Sequence, residues 1–97
     1  MIPSVIENVR AVYRDLLPED KAVLSPIWSA SKAGGAVTQE AIAKSAKWIG
    51  VHPEYENKPG GETSIRRVRA IIRTLRVKHG LPICSGNTGY FFPVSED

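Results

Sequence analysis

The side chains with chemistry to offer are cationic, and they are crowded together. Arg66, Arg67, Arg69, Arg73, Arg76 and Lys78 all fall in one stretch, residues 63–93, TSIRRVRAIIRTLRVKHGLPICSGNTGYFFP. Residues 63–97 hold those six bases and two acids at the very end, a net of +4, whereas residues 1–62 hold seven bases and eight acids, a net of −1. Clustering of one sign on one segment is the footprint of a surface that binds phosphates. A solvated helix face is often charged too, but it usually interleaves acids for i, i+4 pairing. Between Arg66 and Lys78 there are none.

The other reactive side chains do not assemble into a reaction centre by spacing. His52 and His79 are the two histidines, and Cys84 follows five residues after the second, which is no metal-ligand pattern. Gly34-Gly35 and Gly60-Gly61 lack the Lys-Ser/Thr that completes a phosphate loop. Glu54, Glu56 and Glu62 lie in a Pro/Gly-rich segment with no base fixed beside them, and no Ser/His/Asp or Cys/His arrangement is visible. The expectation is a binding protein: not an enzyme, with no cofactor, no metal and no small-molecule substrate.

The elements that must position the cations follow from apolar periodicity. Ile65, Val68, Ile71, Ile72 and Leu75 recur at helical spacing and predict a helix over 64–79, capped by Thr63 or Ser64 and stopped by Gly80. At about 100° per residue, Arg66, Ala70, Arg73 and Val77 lie opposite that stripe, and Arg67, Arg69 and Thr74 flank them. Beyond it, Leu81–Cys84 and Tyr90–Phe92 predict two short strands around the turn chemistry of Ser85–Gly89.

Upstream, Ser4 with Glu7 forms a capping box for a helix over Ser4–Leu17, with Val5, Val9, Val12, Tyr13 and Leu16 on one face. Pro18-Glu19-Asp20 opens a second helix carrying Val23, Leu24, Ile27, Trp28 and Ala30. Pro26 either kinks that helix or stands at the first position of a new one capped by Ser25. After Gly34-Gly35, Ala36-Val37 is a minimal strand. Thr38 caps a third helix, TQEAIAKSAKW, with Ile42, Ala43, Ala46 and Ile49 facing inward. Residues 51–62 read as a long loop, of the length that is usually functional or mobile.

Ninety-seven residues with 42% apolar content suit one small core. No apolar run is long enough to span a membrane and no leader is visible, and a lone cysteine fits a reducing cytoplasm. The fold class expected is mainly α with a small β-hairpin, an accessory helix over 1–18 and a domain over 19–94.

From Glu19 onward this order resembles the winged helix-turn-helix family of small phage and bacterial proteins. The likeness is carried by Ala36-Val37-Thr38-Gln39-Glu40-Ala41-Ile42-Ala43, by Arg66-Arg67-Val68-Arg69 with Leu75, and by Gly80–Ser85 with Gly89–Pro93. The chain departs from the pattern in its longer turn between Gly50 and Thr63 and in the extra segment Ser4–Leu17. The resemblance implies a DNA-binding regulator or replication accessory of phage or mobile-element type, with the basic helix in the major groove of double-stranded DNA. Thr63, Ser64, Arg66, Arg67, Ala70, Arg73 and Thr74 would then make up the DNA-binding set of the helix, with Arg66 and Arg67 pairing with guanine O6 and N7 or holding phosphates, and Arg73 meeting the backbone. Arg69 and Arg76 would turn towards the core boundary. Lys44 and Lys47 would reach flanking phosphates, and Asn87 would be the one side chain offered by a neutral wing tip. A homodimer through residues 4–17 fits the extra helix. The rival is a winged-helix protein-interaction module with no DNA affinity.

Overall fold

The computed structural model describes residues 3–93. Its elements run α1 (Pro3–Tyr13), α2 (Pro18–Lys32), α3 (Gln39–Lys44), α4 (Ala46–Val51), a 3-10 turn (Pro53–Tyr55), α5 (Glu62–Val77), β1 (Cys84–Gly86) and β2 (Gly89–Phe91). The chain is thus mainly helical with one small antiparallel hairpin. No helix among the described residues is long and apolar enough to cross a membrane.

α1 begins at Pro3, so Ser4 lies inside the helix and does not cap it, contrary to the capping-box reading; the helix also ends at Tyr13, short of Leu17. Val5, Val9 and Leu16 are buried, whereas Tyr13 is partly open to solvent. The next helix opens with Asp20 Oδ2 accepting from the Leu17 amide at 3.2 Å. It then runs unbroken through Pro26. An interior proline costs about 3 kcal/mol. Val23, Leu24 and Ile27 are fully buried on either side of it, and each contributes about 1.5–3 kcal/mol. Packing therefore outweighs the missing hydrogen bond.

The third predicted helix is two. Ser45 adopts extended backbone (φ −66, ψ 149), its hydroxyl donates to the Ile42 carbonyl at 2.7 Å, and its oxygen accepts from the Trp48 amide at 3.3 Å. One serine thus ends α3 and starts α4. The break re-aims α4: Ala46, expected inward, is exposed, and Trp48 is buried instead. The segment 51–62 is correspondingly more ordered than a plain loop. Tyr55 stacks on Trp48 at 6.3 Å between centroids and 5° between planes, with the His52 ring 4.6 Å from Trp48.

The core lies where α2, α3, α4 and α5 meet, around Ile27, Ile42, Trp48, Val68, Ile72, Leu75 and Phe92. The hairpin strands are displaced from expectation, the first starting later and the second earlier, and pair Cys84↔Phe91, Ser85↔Tyr90 and Gly86↔Gly89. Leu81 and Ile83 precede the first strand as buried anchors, and Cys84 is only half-buried. Val37 adds a single bridge to Tyr90. That approach is so close that only glycine fits at position 89. Its φ is +122, and a Cβ there would overlap the Val37 carbonyl. Behind the hairpin, the Phe92 amide donates to Ser31 Oγ at 2.7 Å, and that hydroxyl donates to the Ile27 carbonyl at 2.7 Å.

Candidate nucleic-acid interface

The basic helix α5 is one-sided. Ser64, Val68, Ile71, Ile72 and Leu75 are buried, and Thr63, Arg66, Arg67, Arg69, Ala70, Arg73, Val77 and Lys78 are exposed. It starts one residue before the predicted caps, at Glu62, with Gly61 in extended backbone ahead of it. Thr63 and Ser64 are therefore first-turn residues, and neither is a cap. The helix also contains an acid after all, since Glu62 is its first residue and meets Arg66 Nη2 at 2.7 Å, an i, i+4 pair that is about three-quarters exposed on both sides.

Ser64 does not face outward. It is 1% exposed, and its Oγ accepts from the Trp48 indole Nε1 at 2.8 Å. A side chain buried under α4 cannot touch a base, so Ser64 leaves the interface and becomes an anchor for the start of α5. At the other end of the helix, Arg76 donates through Nε to the Ile83 carbonyl at 2.8 Å and lies 5.6 Å from the Tyr90 ring centroid. This is the inward role expected of Arg76. It ties the helix to the chain entering the hairpin.

Arg67 is engaged within the molecule. Its Nε and Nη2 donate to Glu19 Oε2 at 3.0 and 2.8 Å, and the His52 ring nitrogen Nε2 stands 2.9 Å from that same oxygen. His52 Nδ1 faces Glu54 Oε1 at 2.9 Å. The two carboxylates approach opposite edges of the imidazole, so they do not converge on one point, and no metal-type cluster is present among the described residues. Burial pushes the Glu19 carboxyl up, but hydrogen bonds from Arg67 and His52, with their charges, outweigh it and hold Glu19 below its ordinary value. Glu54 is held low as well, chiefly by its own backbone amide, with His52 adding to the effect. Asp15, Glu19 and Asp20 line a concavity of about 360 Å³ beside Arg67, Ala70 and Thr74. Lys78 and His79 line the same concavity, so that flank of α5 mixes three carboxylates with basic side chains.

The opposite flank is open. Arg69, expected near the core boundary, is exposed, and neither it nor Arg73 forms an ion pair among the described residues. Arg66, Ala70 and Arg73 follow one another along the exposed ridge, with Arg69 beside them. Thr74 turns its hydroxyl back to the Ala70 carbonyl at 3.1 Å. Arg69 is the residue that sequence reasoning set aside. Its phase, three residues after Arg66 and four before Arg73, was the signal for it.

The remaining expected contacts are scattered. Lys44 lies against the turn at Gly60, where a Cβ would come within 2.8 Å of its Cε. Lys47 borders a groove between α1 and α2, away from α5. Asn87 is exposed at the hairpin turn, where a concavity of about 240 Å³ separates the turn from Thr38, Gln39 and Glu40.

No protein-family model matches the chain, and comparison with curated proteins and with solved structures returns no match.

Proposed function

We propose that this domain binds double-stranded DNA on the plan of a winged helix-turn-helix. α3 and α5 form the helix pair, α5 enters the major groove and β1–β2 lies beside it as the wing. Within this reading the protein is a regulator or replication accessory of phage or mobile-element type. The observation that carries it is the cationic ridge of α5, where Arg66, Arg69 and Arg73 surround the small Ala70 and, among the described residues, Glu62 is the one carboxylate paired with any of these three arginines. Ala70 lets the backbone come close, and guanidinium groups on either side suit guanine O6/N7 or phosphate. Thr63, exposed in the first turn, adds a hydroxyl to that surface. Arg67 is secondary, because DNA must first displace it from Glu19. The hairpin is chiefly structural, with Asn87 and turn amides as its offering.

The test is duplex titration across salt concentrations, with alanine at Arg66, Arg69 and Arg73 singly and together. Removing one arginine that neutralises a phosphate lowers the magnitude of the log–log salt slope by about 0.9. The triple variant therefore loses close to three units of slope if all three meet phosphate, while Arg67→Ala changes it least. An affinity and slope indifferent to the triple substitution would overturn the reading and leave a winged-helix protein-interaction role.

A further inference from the structure

A second surface lies between the first two helices. There α1 and α2 leave a groove of about 850 Å³. Its apolar lining is Ile6, Tyr13 and Trp28 over the buried Val9 and Leu24, with Ser25 and Ser29 between them. Its rim carries Arg10, Arg14, Lys32 and Lys47, all exposed, and no carboxylate among the described residues lines it. This basic frame lies in the part of the chain whose net charge is −1, so general basicity does not produce it. We propose that the groove is a docking site for an acidic amphipathic helix of a protein partner.

Both the chemistry of the walls and the shape favour that occupant. Helix-in-groove recognition needs an apolar trough for side chains at i, i+3, i+4 and i+7, and charge at the margins sets orientation. The volume falls in the range of formed binding clefts, about 300–1,000 Å³. Single-stranded nucleic acid fits less well, because its bases need free aromatic faces to stack on. The Tyr13 ring already carries the Lys21 ammonium 5.0 Å from its centroid, and Trp28 is held edge-on by Phe92 at 5.6 Å. A second copy of this chain using the same face would set its four rim cations against an identical set. The site shares no residue with α5 or the hairpin, so the proposal stands whether or not α5 binds DNA.

The experiment uses the whole chain and three synthetic peptides of about 15 residues, roughly the length of α2. One is an amphipathic helix with leucines on one face and glutamates on the other. The second scrambles that order, and the third replaces glutamate by lysine. Amide and indole resonances are followed by NMR. The expected result is saturable binding of the first peptide alone, with shifts at Ile6, Val9 and the Trp28 indole. Arg10→Glu/Arg14→Glu on one wall, and independently Lys32→Glu on the other, should each keep the native spectrum. The double variant should weaken binding at least about tenfold, through like-charge juxtaposition. Equal binding of the scrambled peptide, or shifts that fall elsewhere, overturns the proposal. So does self-association that the Arg10/Arg14 variant abolishes, which would assign the face to a second copy. So do stronger shifts of these same resonances by a short single-stranded oligonucleotide.

Discussion

Ser64→Ala separates a structural role from a DNA-reading one. The hydroxyl is buried and accepts the hydrogen bond of the Trp48 indole N–H at 2.8 Å, and Trp48 is itself fully buried. Alanine removes the acceptor and orphans the buried indole N–H. Such a group costs about 1–3 kcal/mol. With a central figure of about 2 kcal/mol, a domain of this size loses roughly 8–16 °C in Tm. Thermal and urea unfolding followed by tryptophan fluorescence measure it. Trp48→Phe and the double variant complete a cycle whose coupling energy should be about 0.5–1.5 kcal/mol, the net worth of one buried neutral hydrogen bond. Duplex affinity of the folded variant should stay within about twofold, since the side chain has no route to the groove. A Tm within roughly 2 °C of the parent together with a fall in DNA affinity would refute this placement and return Ser64 to the base-contacting set.

Two further outcomes follow from other parts of the fold. Gly89→Ala forces a Cβ at φ +122 into the Val37 carbonyl; it should cost about 2–4 kcal/mol and detach Val37 from Tyr90, so a variant within about 0.5 kcal/mol with unchanged hairpin amide shifts would contradict the close approach. The lowered Glu19 value makes its contribution to stability complete above the ordinary carboxyl value of 4.5 and lost as pH falls through the lower folded value. The urea midpoint of Glu19→Gln should therefore trail the parent at neutral pH, by under about 1 kcal/mol for a pair this exposed, and converge with it in acid; a gap independent of pH would rule the linkage out.

The fold was legible where local signals and packing agree. The apolar stripe of α5 is strict, the Thr38 cap is explicit and accepts from the Ala41 amide as a cap should, and the Gly80 stop and hairpin glycines admit few alternatives. Ser45 carried a readable signal as well, being a second capping residue inside one helical run, but an uninterrupted apolar phase hid it. Ser64 stands four residues before Val68 and seven before Ile71, so its phase puts it on the buried stripe, and the outward assignment misread that phase. What reversed that judgement is a partner sixteen residues earlier, and no local pattern predicts which buried indole will find which hydroxyl. The same limit governs Arg67. Its engagement with Glu19 spans 48 residues, so a count of bases along α5 overstates how many are free.

The charge around α5 is consequently directional. Asp15, Glu19 and Asp20 stand along one flank, where Glu19 holds Arg67 and Lys78 is the exposed cation, the hairpin turn is neutral, and Arg66, Arg69 and Arg73 make up the other, cationic ridge. On the proposed DNA-binding reading, a phosphate chain gains more from the carboxylate-poor ridge than from the flank with three acids, which would restrict the orientations in which this helix is engaged. The ridge is also held at both ends by contacts that bind no ligand, Trp48 to Ser64 at the start and Arg76 to Ile83 near the finish. A helix fixed in this way gives up little freedom on binding, and more of each guanidinium contact then appears as affinity. On the proposed reading, selectivity would come from the bounded shape of this surface as much as from the arginines on it.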